Sequence, residues 1–197
     1  MLRPRVAAKW EGAGVRLAIA EPTLDEVRAV AARLSAFYNE PVNRALMTNE
    51  HAMSEADVVA QFEEMWSDGG RPFLMSIDDV VVGDCDFRHI EQGDGEFAIL
   101  VGPRSAQARG IGTRFATIAL AVAFGPLALR RAYASIRPEN VGSLRMFAKV
   151  GYVVDASPNA RRFAEEPDDV CMSIDAAHFT TSHAAALSEI VVSIVDS

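Results

Sequence analysis

The stretch Val101 to Thr113, VGPRSAQARGIGT, constrains the chain more than any other, because an apolar run there enters a glycine-rich turn and the turn opens a helix. Gly110 and Gly112 let the backbone come close to an anion. The uncapped amides of the following helix would point at that anion with the positive end of the helix dipole behind them. Arg104, Arg109 and Arg114 add positive charge around the turn in a chain whose net charge is −8. Two known phosphate loops fail on chemistry. A nucleotide P-loop needs Lys-Ser/Thr after its last glycine, and Gly112 is followed by Thr113-Arg114. A Rossmann loop needs a third glycine and an acidic residue about twenty positions on, where Arg130-Arg131 stands.

The second half of the pattern lies downstream. A helix over Gly112 to Phe124 leads to a strand, Arg131 to Arg137. Then Pro138-Glu139-Asn140 opens a short helix carrying Asn140-x-x-Ser143-x-x-x-Phe147-x-x-x-Gly151-Tyr152. Together with the glycine turn, this resembles the GNAT superfamily of acyl-CoA-dependent N-acetyltransferases, and within it the ribosomal-protein alanine acetyltransferase (RimJ/RimL-like) branch. The likeness spans about Val15 to Asp175 and is densest from Glu96 to Tyr152.

The order of elements before the turn agrees. Val15 to Ala20 reads as a strand, and Leu24 to Tyr38 as an amphipathic helix N-capped by Thr23. A second helix, capped by Ser54 with Asp57 at its third position, runs to Trp66 and stops at Gly69-Gly70. Pro72 to Ile77 and Val80 to Phe87 form strands joined by Asp78-Asp79. Gln92 to Gly95 turns the chain into a strand from Glu96 to Val101. The expected fold is α/β: a single mixed, mostly antiparallel central sheet flanked by helices. Residues 1–14 are read as an N-terminal extension, 15–177 as the acetyltransferase domain, and 178–197 as a helical tail. In that tail Leu187, Ile190, Val191, Ile194 and Val195 would share one helical face, packed on the domain or on a second copy as a homodimer contact.

Composition sets the remaining bounds. With 197 residues, half of them hydrophobic, one core can form without a metal or disulfide. Cys85 and Cys171 sit in strand-like runs and outside any metal-binding spacing, so they read as buried free thiols in a reducing, cytoplasmic setting. No apolar run reaches the roughly eighteen residues of a membrane span, and the acidic balance argues against nucleic acid as a partner.

The resemblance implies acetyl-CoA as acyl donor, with no metal, and a primary amine of a small molecule or a peptide N-terminus as acceptor. Backbone amides of Ile99, Leu100 and Val101 are then expected along the pantetheine arm, and Gln107, Ala108, Arg109, Gly110, Ile111, Gly112 and Thr113 around the pyrophosphate. Asn140 matches a position whose amide reaches pantetheine, and it could equally be a plain helix N-cap. Glu96 matches a carboxylate that takes a proton from the acceptor ammonium, commonly through water. Asp84 and Asp86 are alternatives if they face a ligand, and solubilising groups if they face water. His51 and His89 have the chemistry of a base, although a lone histidine is more often a surface group. Where many members carry a tyrosine as acid for the leaving thiolate, this chain has Phe147; Ser143 matches the position proposed for that role in the ribosomal branch. Asn39, Glu40, Asn43 and Asn49 make the first acceptor-side loop polar. A noncatalytic acyl-CoA-binding module of the same fold is the competing reading.

Overall fold

A computed structural model describes residues 4–12, 14–47, 51–103, 107 and 110–195. The N-terminal segment is a strand, β1 (Arg5–Gly12), paired antiparallel with β2 (Val15–Ala20), so what was expected as an extension is part of the sheet. Val6 and Ala8 point into the core from β1, which gives the segment its reason to pair.

Helix α1 (Leu24–Tyr38) starts on a capping box. Thr23 Oγ1 accepts from the Glu26 amide at 3.2 Å, and the Thr23 amide donates to Glu26 Oε2 at 2.6 Å. A short α2 (Pro41–Leu46) follows, then α3 (Glu55–Ser67), whose Ser54 and Asp57 form the same reciprocal cap. The antiparallel strands β3 (Arg71–Ile77), β4 (Val80–Glu91) and β5 (Asp94–Val101) come next. Alternation along them divides the protein into two cores. Phe73, Met75, Cys85, Phe87 and Phe97 face α4 (Ile111–Phe124), which is buried from Phe115 to Ala123, while Leu74, Val81 and Leu100 face α1 and α3.

The chain then forms β6 (Arg131–Ile136), α5 (Val141–Val150), β7 (Val153–Val154), α6 (Pro158–Arg161), β8 (Val170–Asp175), α7 (Ala176–Ser182), α8 (Ala184–Leu187) and β9 (Ile190–Val195). The single sheet has nine strands in the order β7-β8-β6-β5-β4-β3-β2-β1-β9, with β5 and β6 parallel. The tail corrects the expected helix: it is helical only to Leu187 and ends as a strand on β1, with Arg5 opposite Val195 and Trp10 opposite Ile190. Apolar residues at helical spacing also suit a strand when nearly all are β-branched, as in IVVSIV. The open edge of β1 supplied the ladder.

Three strands are pinned by one buried ion pair. Arg71 donates to both carboxylate oxygens of Glu21, at 2.6 Å for Nη2 to Oε2, and the Val6 amide donates to Glu21 Oε2 at 2.7 Å. Both charged residues are buried. Removing the acid alone would strand the guanidinium in the core, a change that typically costs about 3–5 kcal/mol. Glu21→Ala is therefore expected to lower unfolding free energy by about 3 kcal/mol or more in urea titration; a loss under about 1 kcal/mol would show that water reaches the arginine.

Candidate active site

The site begins where the sheet comes apart. Strands β5 and β6 pair through Asp94–Arg131, Gly95–Ala132 and Glu96–Tyr133, yet β5 continues to Val101 along β4. Alternate residues from Phe97 to Val101, Ile99 among them, thus turn their backbone groups toward a widening gap instead of β6, while Leu100 faces β4.

At the end of β5 the chain reaches the glycine turn. Gly110 is the N-cap of α4 with φ +74°, and among the described residues it has no side-chain cap and a Cβ built there would meet nothing within 4 Å. Ile111, Gly112 and Thr113 form the first turn of α4, whose leading amides have no intrahelical acceptor. A left-handed glycine, open space above it and an uncapped helix start are what close approach by a phosphate group requires. Ala108 and Arg109 lie outside the described residues. Gln107 also acts through its side chain, with Nε2 donating to Val101 O at 2.8 Å and to Asn43 Oδ1 at 3.1 Å.

That bond ties the turn to the acceptor side. Asn43 is buried, and its Nδ2 donates to Phe37 O (3.0 Å) and Gly102 O (3.2 Å). The Phe37 ring packs so closely on Gly102 that a Cβ there would fall 2.1 Å from it. Glu40 caps α2 through the amides of Val42 and Asn43, and Asn39 exchanges hydrogen bonds with the Met53 backbone. The polar residues of this loop therefore hold the corner together; Asn49 lies outside the described residues. Pro41 after an acidic residue was a legible start for α2, but nothing local foretold the reach of Asn43 to Gly102.

The β4 face toward α1 carries the charges. Asp84 and Asp86 are not solubilising groups: both are buried, and Tyr38 Oη donates to Asp84 Oδ2 at 2.6 Å. Burial pushes Asp84 up to about 7; the Tyr38 hydrogen bond works against this and the Asp86 charge adds to it. Burial raises Asp86 to about 6 against the pull of Arg88. Glu96 is 4 % exposed, and burial raises its pKa while Arg88 and His89 oppose the shift. Arg88 Nε lies 3.2 Å from Glu96 Oε2 and 3.6 Å from Asp86 Oδ1, and its Nη2 is 3.7 Å from Glu165 on the late loop.

His89 completes the group. Its Nδ1 lies 3.0 Å from Glu96 Oε2. The residue sits at φ +51°, where the β4–β5 register shifts between Arg88 and Glu91. Arg88 and His89 line a cleft of about 570 Å³, with His51, Asp57, Gln61, Glu64 and Asp68 on its walls. The lone-histidine reading missed this contact, for which the only sequence signal was a position seven residues from Glu96 across a tight turn.

On the far side of the gap, Asn140 Oδ1 accepts from the Ser143 amide at 3.0 Å, an N-cap of α5. Ser143 is half-buried in the first turn of α5. Phe147 packs edge-on to Phe97 and Tyr152, and the Tyr152 phenol is buried in the core and driven well above its usual range.

The fold, the opening of the sheet and the glycine cap define a class. The family model described as an acetyltransferase (GNAT) domain matches residues 16–153, and the chain belongs to that family. Among solved structures it is similar to Mycobacterium smegmatis RimJ in complex with CoA-disulfide, at 17% identity and TM-score 0.75 over 96% of this chain and 99% of that one. It is also similar to the aminoglycoside acetyltransferase AAC(6')-Ib in complex with coenzyme A, at 15% identity and TM-score 0.71, covering 85% and 99% of the two chains. A third is yncA, a putative acetyltransferase from Salmonella typhimurium with acetyl-CoA, at 20% identity and TM-score 0.61, covering 81% and 93%. No curated protein matches the sequence.

The raised carboxylates leave a signature in stability. Asp84 ionises near 3.8 ordinarily and near 7 in the fold, so across that interval the folded chain holds a proton that the unfolded chain has released. Its stabilising contribution is full below about 3.8 and is lost as pH climbs through 7; Asp86, raised to about 6, adds with the same sign. Asp84→Asn should flatten the decline in urea midpoint between about pH 4 and 7 relative to wild type. Equal slopes would mean that Asp84 stays ionised in the fold.

Proposed function

We propose that this chain moves the acetyl group of acetyl-CoA directly to a primary amine. The observation that carries the reading is the succession of three features along β5, from Glu96, which His89 contacts, to the turn after Val101. These are the unpaired edge of β5 beyond Glu96, the open left-handed Gly110 at the head of α4, and the acidic cleft lined by His89 and Arg88. Acetyl-CoA supplies an activated thioester when bound. Ile99 and Val101 would hold the pantetheine arm through backbone groups. Gln107, Gly110, Ile111, Gly112 and Thr113, with Ala108 and Arg109 in sequence between them, would hold the pyrophosphate, and Asn140 would contact the arm from α5.

What remains for the chain's own side chains is to deliver a neutral amine. Asp57, Glu64 and Asp68 on the cleft wall favour a cationic acceptor, a small-molecule amine or a peptide N-terminus. Glu96 and the His89 ring against it form the proton-accepting end. Departure of a thiolate needs little assistance, since a thiol ionises near about pH 8.5, so a phenylalanine at 147 is tolerable and Ser143 is the hydroxyl that the family resemblance offers for that role. The buried free thiols Cys85 and Cys171 suit a reducing, cytoplasmic compartment.

Thiol release with amine acceptors tests the reading. Glu96→Gln should lower kcat by about 100-fold while the acetyl-CoA Kd stays within about twofold. Wild-type turnover in the variant would remove Glu96 from the chemistry; binding without turnover by wild type on a broad amine panel would favour the noncatalytic module.

A further inference from the structure

Resting on the acetyl-transfer reading, we infer that His89, and not Glu96 itself, receives the acceptor's proton, with Glu96 fixing the imidazole from behind. Position carries the inference. The Glu96 side chain is buried, whereas the His89 side chain is 67% exposed and lines the cleft together with Arg88. An ammonium entering that cleft meets the imidazole before the carboxylate.

The second observation is the bond itself. An ionised carboxylate accepts only, so with Glu96 ionised the His89 Nδ1, 3.0 Å from Glu96 Oε2, is the nitrogen that carries the proton. That leaves the Nε2 lone pair for the cleft. Arg88, 3.2 Å from the same oxygen, keeps Glu96 in place, and Asp86 and Glu165 are the other charged groups around the guanidinium. Guanidinium cannot serve as the base, because it does not release its proton in proteins.

The backbone supports a dedicated placement. His89 at φ +51° lies in the left-handed region, which residues other than glycine enter seldom and histidine, asparagine and aspartate more readily than the rest. It stands where the β4–β5 ladder slips, a device that re-aims a side chain off the regular sheet face. The ring also lies beside Phe163 of the late loop, 6.4 Å between centroids.

The step balances without a co-reactant. One N–H bond of the acceptor ammonium breaks and an Nε2–H bond forms on His89. The amine keeps the electron pair for attack, and the imidazolium rests against the Glu96 carboxylate until Nε2 returns the proton to bulk water. Glu96 is then a positioning residue that sets the tautomer.

Nitrogen-15 NMR of the full chain tests the arrangement without relying on turnover, with the His89 signals identified by their loss in His89→Asn. The expected result is protonated Nδ1 and bare Nε2 in the neutral ring, with that preference relaxed in Glu96→Gln. Protonated Nε2 in wild type overturns the inference. Asparagine and glycine both accept the left-handed backbone, so His89→Asn and His89→Gly should stay folded. Their kcat should fall by about 100-fold or more, with acetyl-CoA affinity within about twofold. Turnover is read on the faster of a tripeptide with a free N-terminus and a linear diamine, and added imidazole should restore part of it in His89→Gly. Wild-type kcat in both variants overturns the role of His89 alone, while failure of the wild-type chain to bind acetyl-CoA overturns the acetyl-transfer reading and this inference with it.

Discussion

The structure depends on the point where β5 and β6 stop pairing. Had the parallel ladder continued past Glu96–Tyr133, the backbone of Phe97 to Val101 would be saturated and the sheet would offer no opening. It ends there because the two strands have different obligations. β5 stays with β4 as far as Gly83–Val101, while β6 stays with β8 through Ile136–Val170, and the twist of each pair carries the strands apart. The glycine turn then delivers α4 to the mouth of the gap, and the apolar run Phe115 to Ala123 anchors that helix beneath the sheet.

The two faces of the sheet divide the work. Toward α4 the contacts are nearly all apolar, with Phe87 stacked on Phe97 at 4.9 Å between centroids. Toward α1 the same strands carry Asp84, Asp86, Arg88 and Glu96, placed at alternate positions or cross-strand so that they share one face. Buried carboxylates oppose folding, and the apolar core opposite offsets that cost. A cluster of this kind, held beside a cleft by Tyr38 and Arg88, is where perturbed protonation has chemical use.

Much of this was legible in the sequence because local signals decided it. Thr23-x-x-Glu26 and Ser54-x-x-Asp57 are reciprocal caps, and α1 and α3 begin where those pairs place them. Asp78-Asp79 turns β3 into β4 with both residues at positive φ. The glycine turn and the late helix sufficed to indicate the family. What failed to show was non-local. Whether Asp84 faces water or Tyr38 depends on α1 being laid over β4, and whether IVVSIV becomes helix or strand depends on β1 offering an edge. The link from Asn43 to Gly102 joins residues 59 positions apart. The contact of His89 with Glu96 required a bulge whose register the sequence does not spell out.

The most direct test of the central claim is thermal denaturation of the full chain with acetyl-CoA, CoA, ATP and NAD in parallel, since a ligand held by the native state alone must raise the midpoint. A site built from the β5 opening and the Gly110 cap predicts a rise with acetyl-CoA and CoA and none with ATP or NAD. A rise with ATP or NAD alone, or no rise with either CoA species at about 1 mM, the upper end of ordinary substrate constants, would contradict it.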